Sequence, residues 1–158
     1  MNKIRWGILS TGKIAGSFTE DIRHVPDAEV VAVGSRNQAS ADAFGQKHSI
    51  PNRHPSYESL ANDSDVDVIY IATPHVFHAE NSILCMEAKK AVLCEKVFSI
   101  HAGEAKTMIQ HARKNNVFWM EALMSRRVPV RHQVLDWIKD GWVGEVRIVQ
   151  ANRCYQGD

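Results

Sequence analysis

Ile4-Arg5-Trp6-Gly7-Ile8-Leu9 runs without a break into Ser10-Thr11-Gly12 and then into Lys13-Ile14-Ala15. An apolar strand that passes through small residues into a helix presents bare backbone N–H groups, and the helix N-terminus adds a partial positive charge at the same spot. That junction suits a phosphate. It also constrains the chain to an α/β arrangement in which strand and helix pack closely.

Two motifs compete for the segment. Gly7, Gly12 and Lys13 match the start of an NTPase phosphate loop, but that loop next needs a Ser or Thr hydroxyl for Mg²⁺, and Ile14 stands there. Read as a dinucleotide turn, the pattern G-x-G-x-x-G/A falls on Ser10, Gly12 and Ala15. Gly12 keeps the position where backbone must approach a pyrophosphate, and Ala15 is small enough for close helix–strand packing. Ser10 tolerates the tight turn less readily than glycine would. Ser10, Thr11, Gly12, Lys13 and Ile14 are therefore candidate cofactor contacts. The plain alternative is an ordinary strand-to-helix turn with incidental glycines.

A chain of 158 residues, 44% of them hydrophobic, is long enough for a substantial core. Net charge is +1 with dispersed basic residues, which argues against nucleic acid as a partner. Cys85, Cys94 and Cys154 form no CxxC pair, and the first two sit in apolar segments. They read as reduced thiols, and with no leader segment or membrane-spanning run the chain is expected to be cytoplasmic.

Apolar runs alternate with helical stretches. Strands are expected at 4–9, 29–34, 67–72, 91–94, 117–120 and 145–152, with a short extended segment near 53–54. Helices are expected at about 12–24, 38–48, 56–61 (capped by Ser56), 75–88, 101–115 and 129–140. Near-continuous apolar strands separated by helices predict a doubly wound parallel sheet of the Rossmann type. Ligands of such sheets sit beyond the carboxyl ends of the strands.

The residues at those ends carry the chemistry. Strand two ends in Gly34-Ser35-Arg36, about twenty residues after the glycine turn, where an acidic residue would favour NAD. A hydroxyl and a guanidinium suit the 2′-phosphate of NADP instead, so Ser35 and Arg36 point to NADP, with NAD as the alternative. The bland reading is a solvated turn. Thr73-Pro74-His75, with His78 beyond, could line the cleft. Without accompanying Cys or carboxylates the two histidines do not suggest a metal, and a capping or packing role is open to His78. Glu95-Lys96 ends the next buried strand, where charges are normally paired or functional. Lys96 could hydrogen-bond a substrate hydroxyl and help move its proton. A structural ion pair is the alternative.

The glycine turn, Thr73-Pro74-His75 with His78, Ala91 to Lys96, and Val117 to Ala122 together resemble the Gfo/Idh/MocA oxidoreductases, and within them the dihydrodiol dehydrogenase-like branch. The resemblance runs from Ile4 to about Ala151. It implies an N-terminal Rossmann domain that binds NAD(P) and a second domain that binds substrate and forms oligomers. It also implies hydride transfer to or from a sugar, diol or small carbonyl, with Lys96 as the catalytic residue. Two departures stand out. The family's Glu-Lys-Pro motif reads Glu95-Lys96-Val97 here, and its Trp-Thr-Arg-Phe segment reads Met124-Ser125-Arg126-Arg127, keeping only Arg126 as a candidate cofactor contact. The expected division is a dinucleotide-binding domain at 1–122, then a connecting helix and the start of a substrate domain at 123–158. Of that second domain only the first strand, 145–152, is expected, and with no sheet of its own to join it is expected to self-associate, giving a homo-oligomer, or to be disordered. A non-catalytic nucleotide-binding or interaction module is the competing function.

Overall fold

The computed structural model describes residues 3–152 and residue 154. Residue contacts divide the chain into two units, Met1–Ala122 and Leu123–Asp158.

The first unit is built on six parallel strands: β1 (Ile4–Leu9), β2 (Ala28–Gly34), β3 (Asn52–His54), β4 (Val68–Ile71), β5 (Ala91–Cys94) and β6 (Trp119–Glu121). Their order in the sheet is β3-β2-β1-β4-β5-β6. Each crossover is made by a helix: α1 (Lys13–Asp21), α2 (Gln38–Lys47), α3 (Tyr57–Ala61), α4 (His78–Glu87) and α5 (Ala102–Asn115). The expected doubly wound sheet is present, with its order reversing between β1 and β4.

Strand alternation sends side chains to two cores. Ile8, Val33 and Tyr70 pack with Ala15 of α1 and Phe44 of α2 on one face. Leu9, Ala32, Ile69, Ile71 and Val92 pack with Leu60, Cys85, Met86 and Met108 of α3, α4 and α5 on the other. Both faces are covered, which is why the strands read as near-continuous apolar runs.

Local chemistry sets the boundaries. Asn37 caps α2 by accepting from the Ser40 amide at 2.8 Å, and Ser56 caps α3 through the Ser59 amide at 3.1 Å. His101 caps α5 by accepting from the amides of Gly103 and Glu104, while Glu104 reaches back to the Ile100 amide. The first helix is shorter than expected. It tightens into a 3₁₀ turn at Ile22–His24, because Pro26 pushes Val25 into an extended conformation. The stretch after Pro74 likewise opens as a 3₁₀ turn, His75–Phe77, before α4 begins. Strand six starts two residues late: Asn116 takes a left-handed cap and the Val117 amide still closes α5 on Ala112.

In the second unit, a 3₁₀ turn at Met124–Arg126 leads to α6 (Pro129–Lys139), with Pro129 at the first helical position. Residues 145–152 form no strand, contrary to the sequence expectation. An apolar run needs a neighbouring ladder to become a strand, and among the described residues none pairs with it. No described helix is long and apolar enough to cross a membrane.

Candidate functional site

The register aligns the carboxyl ends of the strands. Leu9 pairs with Gly34 and with Ile71, Ile71 with Cys94, and Cys94 with Glu121. The residues that follow, Ser10, Ser35, Ala72, Glu95 and Ala122, thus form one row along one edge of the sheet. The sequence candidates of the first unit lie on or just beyond that row.

At β1 the chain turns with Ser10 at φ +107°, in the region that favours glycine, and the Ser10 amide is tied to the Gly34 carbonyl at 3.0 Å. Gly12 precedes α1 with φ −77° and no side-chain cap on the helix. A Cβ at Gly12 would meet only Ser10 Oγ, at 3.9 Å. Neither backbone conformation nor packing against the protein requires glycine there, and the place of a Cβ is open. Gly34 is different: a Cβ there would lie 2.8 Å from Leu60, so its bareness lets α3 pack on the sheet. The amides that open α1 have no acceptor within the helix, and no acidic residue occupies the first turn, a setting that attracts an anion.

A cavity of about 380 Å³ opens between the ends of β1, β2 and β4. Ser10, Arg36, Thr73 and Pro74 line it, as the order reversal between β1 and β4 requires. Tyr57 and Glu58 from α3, and Phe77, Glu80, Asn81 and Leu84 from the start of α4, complete the wall. Arg36 is exposed and has no carboxylate partner among the described residues. Burial pushes the Tyr57 phenol above its ordinary value, and the positive charge of Arg36 partly offsets this. Ser35 is buried and does not line the cavity. Thr11, Gly12 and Lys13 border instead a groove between α1 and α2, and Ile14 is half-exposed beside them.

The β4 loop is held from within. Asn81 Nδ2 donates to Thr73 Oγ1 at 3.1 Å, and His78 Nε2 lies 2.7 Å from the Thr73 carbonyl. His78 is wholly buried and its Nδ1 lies 2.7 Å from the Val97 carbonyl. Both nitrogens thus face main chain, the arrangement of the packing role that the sequence left open to His78. His75 is exposed and sets its ring edge-on to His78, with centroids 5.4 Å apart. No group of three metal-ligating side chains occurs among the described residues.

Glu95 and Lys96 do not pair with each other. Glu95 accepts from the Tyr70 hydroxyl at 2.7 Å on one oxygen and from the Lys96 amide at 3.1 Å on the other. Tyr70 is buried in the sheet and stacks on Phe18 of α1. Burial first, and the Glu95 carboxylate second, push its phenol well above the ordinary range. The Lys96 side chain projects into solvent with no carboxylate at ion-pair distance among the described residues. Arg126 belongs to the second unit, in its 3₁₀ turn, where its carbonyl accepts from Arg131.

Six wall residues, Tyr57, Glu58, Phe77, Glu80, Asn81 and Leu84, were not among the sequence candidates. Positions 77, 80, 81 and 84 follow helical spacing and so share one face, a signal present in the sequence.

Residues 4–122 match the family model described as an oxidoreductase family with an NAD-binding Rossmann fold. The chain is 43% identical over 151 residues to trans-1,2-dihydrobenzene-1,2-diol dehydrogenase of Danio rerio, covering 94% of this chain and 45% of that protein. It is 41% identical to the Homo sapiens protein of the same name, with the same coverage of each. Among solved structures, it superposes with a TM-score of 0.86 at 31% identity on KijD10, a 3-ketoreductase from Actinomadura kijaniata in complex with TDP-benzene and NADP. That match covers 92% of this chain and 46% of the other. The chain spans about half the length of the curated relatives it matches. With a glycine turn at the head of a β3-β2-β1-β4-β5-β6 sheet and a family match over most of its length, the chain belongs to the Gfo/Idh/MocA family of NAD-binding Rossmann-fold oxidoreductases.

Proposed function

We propose that residues 1–122 bind NADP as the cofactor half of an oxidoreductase acting on a small diol, sugar or carbonyl compound, and that residues 123–158 lead into its substrate domain. The observation that carries this reading is Gly12, which stays bare where nothing in the protein demands it, above the unpaired amides of α1. Those amides and Ser10 suit the pyrophosphate. The cavity between Arg36, Tyr57, Pro74 and Phe77 suits the adenosine end, with Arg36 free to pair a 2′-phosphate.

The nicotinamide, when bound, supplies the hydride donor or acceptor. This chain supplies what orients the reactants. The amides opening α1 fix the phosphates, and Lys96, at the end of β5, offers its ammonium to the oxygen of the substrate carbon. It hydrogen-bonds that oxygen and holds or returns its proton as the carbon–oxygen bond order changes. The name shared by the curated relatives makes a vicinal diol our preferred substrate class.

Titration of the protein with NADPH and NADH, followed by cofactor fluorescence, tests the reading. Saturable NADPH binding, tighter than NADH, is expected. No binding at millimolar NADPH overturns it.

A further inference from the structure

We propose that His78 is a positioning residue for Lys96, clamping the loop that carries the lysine to the loop that lines the cofactor cavity. Lys96 takes its importance from the oxidoreductase reading above, and the clamp is judged independently of it.

His78 opens α4 and is wholly buried. Its Nε2 lies 2.7 Å from the carbonyl of Thr73, and its Nδ1 lies 2.7 Å from the carbonyl of Val97. A carbonyl oxygen only accepts, so the ring nitrogen that carries the proton donates to one of these carbonyls, the tautomer deciding which, while the ring packs against both loops. Those carbonyls belong to different loops, beyond the ends of β4 and β5, where the sheet ladder no longer serves them. Each ring nitrogen faces a different loop, so the imidazole ties the two together whichever nitrogen carries the proton.

The bridge falls where the lysine loop lacks the restraint of a proline. Val97 stands where the family motif has proline, and valine lacks the ring that fixes φ. The main chain is instead held at three successive residues. The Lys96 amide donates to Glu95, the Val97 carbonyl meets His78, and the Phe98 amide donates to Glu121 at 3.4 Å. His78 is the member of this set that reaches across to the cavity side, since Thr73 and Pro74 line the cavity. The backbone is fixed while the Lys96 side chain stays exposed, the arrangement that a lysine serving a bound substrate needs.

The test compares wild type, His78→Phe and His78→Gln in the full chain, His78→Gln keeping one donor should His78→Phe not fold. Amide hydrogen exchange is read by residue, and the rate of reductive methylation is read at Lys96 with Lys13 as internal control. Expected is exchange at 96–98 at least tenfold faster in His78→Phe, a changed Lys96 rate with Lys13 unchanged, and partial return in His78→Gln. A ring ¹⁵N–¹H spectrum of the wild type showing a His78 N–H protected from solvent exchange supports the clamp. Exchange at 96–98 that does not change, or that rises uniformly over the sheet, overturns it, as does a His78 ring N–H that exchanges freely with solvent. NADPH binding by the same proteins separates the two readings: a wild type that binds no NADPH removes the cofactor reading, and exchange still decides the clamp.

Discussion

The hydroxyl of Tyr70 donates to Glu95 Oε1 at 2.7 Å from within the sheet, and the other oxygen of Glu95 accepts from the Lys96 amide. A buried aromatic on β4 thereby orients the acid that holds the backbone of the candidate catalytic lysine. Tyr70→Phe keeps the ring stacked on Phe18 and removes only that donor. A hydrogen bond to a charged acceptor in a partly buried site contributes about 2 kcal/mol. Urea unfolding of Tyr70→Phe is expected to show a loss of that order, and a variant as stable as wild type would contradict the bond.

The same phenol sets how stability responds to base. Burial raises Tyr70 from its ordinary 10.0, and raises the Cys94 thiol from 9.0 up to about 12. Unfolding exposes both to water, where each loses its proton near its ordinary value, while the folded protein keeps it. Between the ordinary and the raised values the unfolded state holds fewer protons, so stability falls as pH rises. The urea midpoint is expected to be flat near neutrality and to decline from about pH 9 upward, with a shallower decline in Tyr70→Phe. A midpoint unchanged from pH 7 to pH 10.5 would refute this.

Gly12→Ala separates folding from binding. The new Cβ has room, with only Ser10 Oγ at 3.9 Å, and φ −77° suits alanine. Stability should fall by about 0.5–1 kcal/mol, since alanine is the poorer N-cap of the two. The methyl group would occupy the approach to the α1 amides, so NADPH affinity should drop at least tenfold by fluorescence titration. Unchanged affinity would place the phosphate elsewhere.

Arg36→Ala tests the 2′-phosphate. The guanidinium lines the cavity without a carboxylate partner among the described residues. Losing a charge-assisted contact to phosphate costs about 1.5–3 kcal/mol, which is roughly a ten- to hundredfold loss in affinity. That loss should appear for NADPH and be nearly absent for NADH. An equal loss for both would assign Arg36 to the adenine or ribose instead.

The ends of the strands were legible because parallel, two-sided burial writes a continuous apolar run, as in Val68–Ile71, and the break of that run marks the functional edge. Ser56 before α3 and the Ser10-to-Ala15 turn were legible for the same local reason, a cap and a small-residue junction. Tyr57 and Glu58 were not, since they reach the cavity only because α3 flanks the reversal of strand order, a tertiary fact. His78 was half legible. Its residue type suggested a ligand, but its two ring nitrogens face carbonyls of loops 5 and 19 residues away in sequence, which no local pattern reports. The run at 145–152 misled in the opposite direction, for apolar periodicity shows what can pair and not whether a partner strand is there.

Ser10 holds φ +107° at the position where a dinucleotide turn usually has glycine, and its amide is pinned to the Gly34 carbonyl. A side chain in that region is strained by roughly 1–2 kcal/mol. Glycine would relieve the strain, while adding freedom to the unfolded chain worth about 0.5–1 kcal/mol. The strain term is the larger, so Ser10→Gly should raise stability by about 0.5–1 kcal/mol, read as a higher urea midpoint with an unchanged slope. Ser10→Ala keeps the strain and removes only the hydroxyl, so its midpoint should stay near that of wild type. If alanine stabilises as much as glycine does, the backbone at Ser10 is not the source of the gain, and the hydroxyl is.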